Sequence, residues 1–522
     1  MQTETAIELV TNAAGREVPT YVNGRDQTPY LGVGKYQPTG RKAASPIASN
    51  KDYPANGDKR VPDLETALRF CGLRDGMVIS SHHHLRDGDV IAVEALQTAA
   101  RMGARDLMWF PSASFPSQKP VIDLMESGAV HHIEGSMNGP LGDYCSQGKM
   151  RGYGVLRSHG GRWQAIQDGE VHIDIAVIAA PTADPFGNAT GSVGKSACGS
   201  LGFALADSMY ADHVIVVTDN LVPFPCIPWQ IQGNNVDYVV EVPSIGDPAK
   251  IVSGTTQITR SPDRLIIAEY VARFLREAGI MRNGFSFQAG AGGIALAFVD
   301  YLRKMMKDAG VKARFVRGGS TKYLVEMLNE GLTDYILDGQ TFDLDGVRSL
   351  ATNPRHVATS PFTSYNYHGK GNFASQVDAV VLGATEVDLD FNANVVTHSD
   401  GRLLHGIGGW QNCLFAGCTI LALPSFRDRI PVIVDRVTTL TGPGELIDVI
   451  VTERGIAINP RRQDLIDATK GSALPIRPIQ EIQREVLQIC GGAPQRPRLS
   501  SRAVAVVKWV DGTILDTVFA LE

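Results

Sequence analysis

Apolar and polar positions along this chain follow two alternating rhythms. From Val61 onward, short apolar runs suited to buried strands recur: MVISS (77–81), DLMWF (106–110) and VHHIE (130–134). Segments with helical spacing separate them. VPDLETALRFCG places Leu64, Ala67 and Leu68 on one stripe, with Pro62 in the first turn and Gly72 as the stop. DVIAVEALQTAARMG and VIDLMESG have the same spacing. Such strand–helix alternation predicts a mainly parallel α/β sheet.

The pattern occurs twice. GMVISSHHHLRDGD (76–89) pairs with GFSFQAGAGG (284–293), DLMWFPSAS (106–114) with ARFVRGGST (313–321), and LMESGAVH (124–131) with MLNEGLTD (327–334). DIAVIAAPTADPFGN (174–188) pairs with DAVVLGATEVDLDFN (378–392), aligning Asp174 with Asp378, Asp184 with Asp388 and Asn188 with Asn392. The four matches keep their order at offsets of 203 to 208 residues. They predict two homologous α/β domains, over 61–260 and 261–522. The second opens on a helix with Ser261 as N-cap, Pro262 and Asp263 in its first turn and Gly279 as its stop. It closes on two apolar runs around Asp511-Gly512, a hairpin expected to add strands to one sheet. Residues 1–60 lack either period and are expected to form an extended arm.

Composition narrows the class. A chain of 522 residues, 43% apolar and 20% charged, is expected to fold as two or three domains rather than remain disordered. Its net charge of −6 gives no basic field for nucleic acid or anionic lipid. No apolar run reaches membrane-spanning length, and MQTETAIELV lacks the basic start of a secretory leader. Seven scattered cysteines without a CxxC pair fit a reducing, cytoplasmic setting. The unusual count is glycine, 54 residues, concentrated in strand-end loops: SVGKSACGSLG (192–202), QAGAGGIA (288–295), RGGST (317–321) and GIGGWQ (406–411).

In an open α/β sheet, ligands bind outside the carboxyl ends of the strands, where these loops fall. GAGG before a helix is either a tight turn or a site whose N–H groups meet phosphate or an oxyanion. It lacks the spacing of a dinucleotide fingerprint or a P-loop, and no GxSxG elbow occurs. His82, His83, His84, Arg86, Asp87 and Asp89 form a polar cluster after a strand. Carboxylate binding, metal ligation and plain packing are its three readings; no complementary ligand set supports a metal. Lys195 reads as an anion anchor or a solvated lysine. Glu386 reads as a general base, a ligand clamp or a structural carboxylate. Asn188, Asn392 and Asn394 lie in turn-forming contexts. Cys198 and Cys413 have no evident histidine partner for thiol chemistry.

Together, SSHHHLRDGD, SHGGRW (158–163), DPFGNATGSVGKSACGSLG (184–202), GFSFQAGAGG, GATEVDLDFNANVVT (383–397) and VTERGIAINPRR (451–462) resemble the citrate lyase alpha subunit family. That family belongs to the CoA-transferase superfamily. The resemblance runs from about residue 35 to the final hairpin. It implies exchange of acetyl for citryl on a CoA-like thioester, with citrate and acetyl thioester going to citryl thioester and acetate. It implies no tightly bound cofactor. The thioester is carried on a phosphoribosyl-dephospho-CoA arm of a gamma (acyl-carrier) subunit, and a beta subunit cleaves the product. A homo-oligomer is also expected. Citramalate transfer, a thioester hydrolase, and a non-catalytic ligand-sensing or assembly protein on the same fold are the alternatives.

Covalent relatives in the superfamily carry a glutamate after the strand matching ARFV. Here that place reads Arg317-Gly318-Gly319-Ser320, without a carboxylate. The resemblance therefore implies a ternary complex and a mixed anhydride, with no enzyme-glutamyl thioester. Gly318, Gly319 and Glu386 are the catalytic candidates. Gly292 and Gly293 are further oxyanion candidates, and with Gly290, Asn394, Gly408 and Gly409 they are assigned to the CoA-like arm. His82, His83, His84, Arg86 and Lys195 are assigned to the citrate carboxylates.

Overall fold

The computed structural model describes residues 8–36, 56–251, 257–366 and 371–522. Two large sheets dominate. The first has seven parallel strands in the order Arg60–Val61, Tyr238–Glu241, His213–Thr218, Ile175–Ala180, Val78–Ser81, Leu107–Pro111, Val130–Ile133. The second runs Gly455–Ile458, Val449–Thr452, Thr419–Ala422, Ala379–Leu382, Ser286–Ala289, Ala313–Ser320, Thr333–Thr341, His356–Ala358. Only Gly455–Ile458 is antiparallel to its neighbour. The strands repeated in sequence take equivalent places. Val78–Ser81 and Ser286–Ala289 are central, and each lies between the counterparts of the other's neighbours.

The same side chains hold both sheets. Asp174 accepts from the Val78 N–H at 2.7 Å, and Asp378 accepts from the Ser286 N–H at 2.8 Å. Asp184 accepts from the backbone of Phe186 and Asn188 and from the Asn188 amide; Asp388 does the same with Asp390 and Asn392. The carbonyls of Asn188 and Asn392 then accept from Gly233 and Gly444, each at 2.9 Å. Asn188 and Asn392 are thus turn formers inside a duplicated lock.

The helices follow the sequence pattern, with a few shifts. Leu64–Phe70 buries Leu64, Ala67 and Leu68, but its N-cap is Asp63, so Pro62 precedes the helix. Ser261 occupies the N-cap of Pro262–Glu277 without a capping hydrogen bond from its side chain. Among the described residues, no helix is long and apolar enough to cross a membrane.

Both chain ends depart from expectation. The hairpin Leu499–Lys508 and Ile514–Leu521 joins neither large sheet. It pairs with Gly154–Leu156 of the first half in a separate three-stranded sheet. Residues 8–36 are not a loose arm. They form two small hairpins, Leu9–Thr11 with Glu17–Pro19 and Tyr21–Val22 with Arg25–Asp26. Val18 and Val22 bury against Val155, Val506 and Ile514. The Asn12 amide donates to the carbonyls of Ile514 and Leu515 at 3.0 and 2.8 Å. Buried ions reinforce this corner: Arg25 and Arg157 pair with Glu134, and Arg157 and Lys508 pair with Glu170. Burial alone would raise the Glu134 carboxyl, but Arg157, His132 and Arg25 hold it well below the usual range. The rest of the expected arm, residues 1–7 and 37–55, lies outside the described residues.

Each aspartate lock satisfies several buried N–H groups with one charge. Asp184→Ala and Asp388→Ala should each destabilise the chain by on the order of 3 kcal/mol, read as a lower urea midpoint at unchanged slope.

Candidate active site

The strand-end loops of the two halves face each other. Gly202 packs so tightly on the second half that an added Cβ would lie 2.0 Å from the Thr359 carbonyl. The His159 N–H donates to the Gly408 carbonyl at 2.8 Å, and the Gly160 N–H to the Asn412 side chain at 3.0 Å. Between these contacts lies a cavity of about 400 Å³. Gly290, Gly318, Gly319, Gly408 and Gly409 all line it, with Gln288, Gln340, Tyr365 and Cys413. The glycines proposed from sequence for the reaction centre and part of the carrier site therefore share one cavity.

A register shift shapes its floor. Gly318 pairs with Asp338 but Gly319 pairs with Gln340, leaving Gly339 as the extra residue of a bulge. Gly318 adopts φ +110°, disfavoured for any residue with a Cβ. At Gly319 an added Cβ would lie 1.5 Å from the Phe342 ring. The space that a side chain at 319 would take is filled by Phe342. No aspartate or glutamate lines the cavity among the described residues.

Gly292 and Gly293 line an adjoining cavity of about 280 Å³, which shares Gly290 and Leu382 with the first. Gly292 is the N-cap of the helix Gly293–Ala309, whose first-turn N–H groups lack intrahelical partners. Arg264 and Arg427 line the same cavity. Sequence reading did not single them out. The Arg427 guanidinium also donates to the carbonyls of Thr385 and Ala384, at 2.7 and 2.8 Å.

The histidine cluster divides. His82 lies 2.9 Å from Asp207, which also takes a bidentate pair from Arg162 at 2.6 and 2.7 Å, so His82 is turned toward that carboxylate in the interior. His83 reaches the cavity wall, with its ring nitrogens 2.6 Å from the Ser112 hydroxyl and 3.2 Å from Gln340. Its ring stacks with His159 and packs on Phe203, and the His84 ring stacks on Phe203 as well. Burial pushes His83 and His84 well below the ordinary imidazole range, and His159 to about 3. These imidazoles are neutral at pH 7. They offer hydrogen bonds, not the positive charge expected from the sequence.

Arg86 keeps its charge, since burial lowers it only to about 10. It adopts φ +52° and lays its guanidinium over Phe115 and Phe342, at 5.3 and 4.7 Å from the ring centres. It thus stands behind the ring that seals Gly319.

Lys195, Glu386 and Asn394 also lie outside the lining of the cavity. Lys195 is exposed and donates to the Pro243 carbonyl at 2.7 Å. Glu386 is buried in the antiparallel pair Glu386↔Asn394. Its carboxylate accepts from the Asn394 amide and from the Thr438 N–H and hydroxyl. Asn394 also accepts from Val396 and Thr397, closing a turn. Neither Glu386 nor Asn394 lines the cavity. Cys413 does line it, but burial raises its thiol above the usual range.

The Phe342 ring makes Gly319 testable. Gly319→Ala should cost about 1–3 kcal/mol of stability by overpacking, and Phe342→Ala in the same chain should recover most of it. Additive losses in chemical denaturation would show that the two positions are independent.

The family model "Citrate lyase, alpha subunit (CitF)" matches residues 57–521. The chain is 39% identical over 503 residues to the citrate lyase alpha chain of Klebsiella pneumoniae, covering 95% of this chain and 96% of that one. It is 37% identical over 480 residues to the Escherichia coli K12 alpha chain, at 92% and 94% coverage. A crystal structure of the citrate lyase alfa subunit from Streptococcus mutans in complex with citrate superposes with TM-score 0.91 at 38% identity, covering 98% of this chain and all of that one. The alpha subunit of a malonate decarboxylase from Acinetobacter baumannii, TM-score 0.60 at 17% identity over 86% of this chain and 97% of that one, shares the fold. By matched length, identity and architecture, this chain belongs to the citrate lyase alpha subunit family.

Proposed function

We propose that this chain is the citrate CoA-transferase subunit of a citrate lyase complex, working beside beta and acyl-carrier gamma subunits in the cytoplasm. It exchanges acetyl for citryl on a CoA-like thioester through a ternary complex. The observation carrying this reading is a glycine-walled cavity with no carboxylate among its described lining residues, at the strand end where a covalent transferase would need one.

The chemistry follows from what the cavity lacks. A citrate carboxylate oxygen attacks the acetyl carbonyl carbon, and the C–S bond breaks to release the carrier thiolate. The mixed acetyl–citryl anhydride is then attacked by that thiolate at the citryl carbonyl, and acetate leaves. Carboxylate and thiolate are both nucleophilic at pH 7, so no side chain has to move a proton. The protein's part is to align the two substrates and to stabilise each tetrahedral oxyanion. Backbone N–H groups at Gly318 and Gly319 suit that task, at about 3–4 kcal/mol per donor in comparable sites. Arg86 supplies positive charge to the citrate side. Gly290, Gly292, Gly293, Arg264 and Arg427 suit the phosphate-bearing arm of the carrier, with Gly408 and Gly409 along its path.

The test is to incubate the pure chain with acetyl-CoA and labelled citrate. Citryl-CoA and free acetate should form in equal amounts. Acetate without citryl-CoA would identify a hydrolase, and absence of turnover would favour a sensor. Borohydride or hydroxylamine trapping during turnover should modify no glutamate; a modified one would defeat the ternary mechanism.

Arg86→Ala should raise the citrate KM by about tenfold or more and leave the acetyl-CoA KM within about twofold. Equal increases in both would remove Arg86 from the citrate side.

A further inference from the structure

Arg317 is fully buried in the second sheet, beside the Gly318–Gly319 floor. Its Nη1 donates to the Gln288 side-chain carbonyl at 2.6 Å, and its guanidinium lies 4.8 Å from the Tyr365 ring centre. The Gln288 amide nitrogen donates in turn to the Cys413 sulfur at 2.9 Å. The Arg317 Nε and Nη2 find no acceptor of good geometry among the described residues, and its side-chain partner is the neutral Gln288 rather than a carboxylate. Burial keeps both the Tyr365 phenol and the Cys413 thiol above their ordinary ranges, so neither contributes a compensating negative charge at pH 7.

Two other deeply buried arginines are neutralised. Arg157 pairs with Glu134 and Glu170, and Arg162 pairs with Asp207. A cation left unpaired in the interior carries a desolvation cost that an anion nearby would offset. The three groups that separate Arg317 from solvent, Gln288, Tyr365 and Cys413, all line the 400 Å³ cavity. That cavity has no negative side chain of its own among the described residues. A carboxylate in the cavity would face this charge across the Gln288 and Tyr365 side chains.

We propose that Arg317 is a positioning residue for the acid substrate: its uncompensated charge beneath the cavity floor, relayed through Gln288 and Tyr365, selects and seats a polycarboxylate. The inference rests on the transferase reading and names the group that gives its cavity a preference for a multiply charged acid. It also separates two positive contributions around the bulge, Arg86 behind Phe342 and Arg317 beneath Gln288.

Citrate binding to the full chain is measured by titration calorimetry, without turnover, alongside steady-state kinetics. Arg317→Met should weaken citrate binding and raise the citrate KM by about tenfold or more, with the acetyl-CoA KM within about twofold. Arg317→Lys should recover part of the loss. Gln288→Glu places a carboxylate on the Arg317 contact with almost no change in shape. It should raise the thermal midpoint while weakening citrate binding, and it decides the matter if Arg317→Met does not fold. Wild-type citrate affinity in folded Arg317→Met, or in Gln288→Glu, would overturn the proposal. An equal rise in both KM values would also overturn it. A wild-type chain that binds no citrate would instead overturn the transferase reading beneath it.

Discussion

The structure depends on how closely two loop-bearing sheet edges can approach. Where the halves meet, main chain lies against main chain or against the base of a side chain: Gly202 on the Thr359 carbonyl, Gly406 on Ser136. Any side chain at these places would hold the halves apart and open the cavity to bulk water. The high glycine content thus answers a packing requirement before it answers a chemical one. The chemical benefit follows, because a wall made of backbone presents N–H groups that cannot rotate away and need little reorganisation during reaction.

Charge is distributed around that wall in a consistent way. Negative groups near the seam are already committed: Asp207 to Arg162 and His82, Asp338 to Ser320, Thr341 and His356, Glu386 to Asn394 and Thr438. The imidazoles nearest the cavity are neutral through burial. The positive groups left without a carboxylate partner close to the floor are arginines, whose charge survives desolvation better than that of histidine. A site arranged in this way attracts anions and holds no carboxylate among its described lining residues, which is in keeping with the ternary mechanism proposed above.

Much of this was legible in the sequence, and the reasons differ from residue to residue. The duplication could be read because its locks are local: Asp184 with Asn188, and Asp388 with Asn392, each satisfy a turn within five residues. The cavity glycines could be read because strand-end position follows from strand–helix alternation. What failed was long-range. Nothing in DGTILDTVFALE indicates that the hairpin will join Gly154–Leu156, or that Asn12 will reach Ile514. Glu386 sits at a strand end as a catalytic carboxylate would, but its pairing with Thr438, 52 residues on, turns it inward. The histidines were read as cations because charge depends on burial, which spacing does not reveal. Arg317 stood in the motif RGGST, yet what sets it apart is the lack of a carboxylate partner among the described residues, and a sequence does not show which charges will be left without a counter-ion.

Residue 319 brings these threads together. An enzyme that stores its acyl group on a glutamate needs room for that side chain and a way to hold its charge between turnovers. Here Phe342 has taken the room, Arg86 lies over Phe342, and Arg317 beneath the neighbouring floor has no carboxylate to meet. A glutamate at 319 would therefore require more than one substitution, since the Phe342 ring would have to leave. The negative charge that a covalent enzyme builds into its own chain is left, in this architecture, for the substrate to bring. In the ternary mechanism proposed above, a carboxylate that arrives from solution would be both the anion that compensates the arginines and the nucleophile that begins the reaction, which would tie substrate selection and catalysis to the same charges.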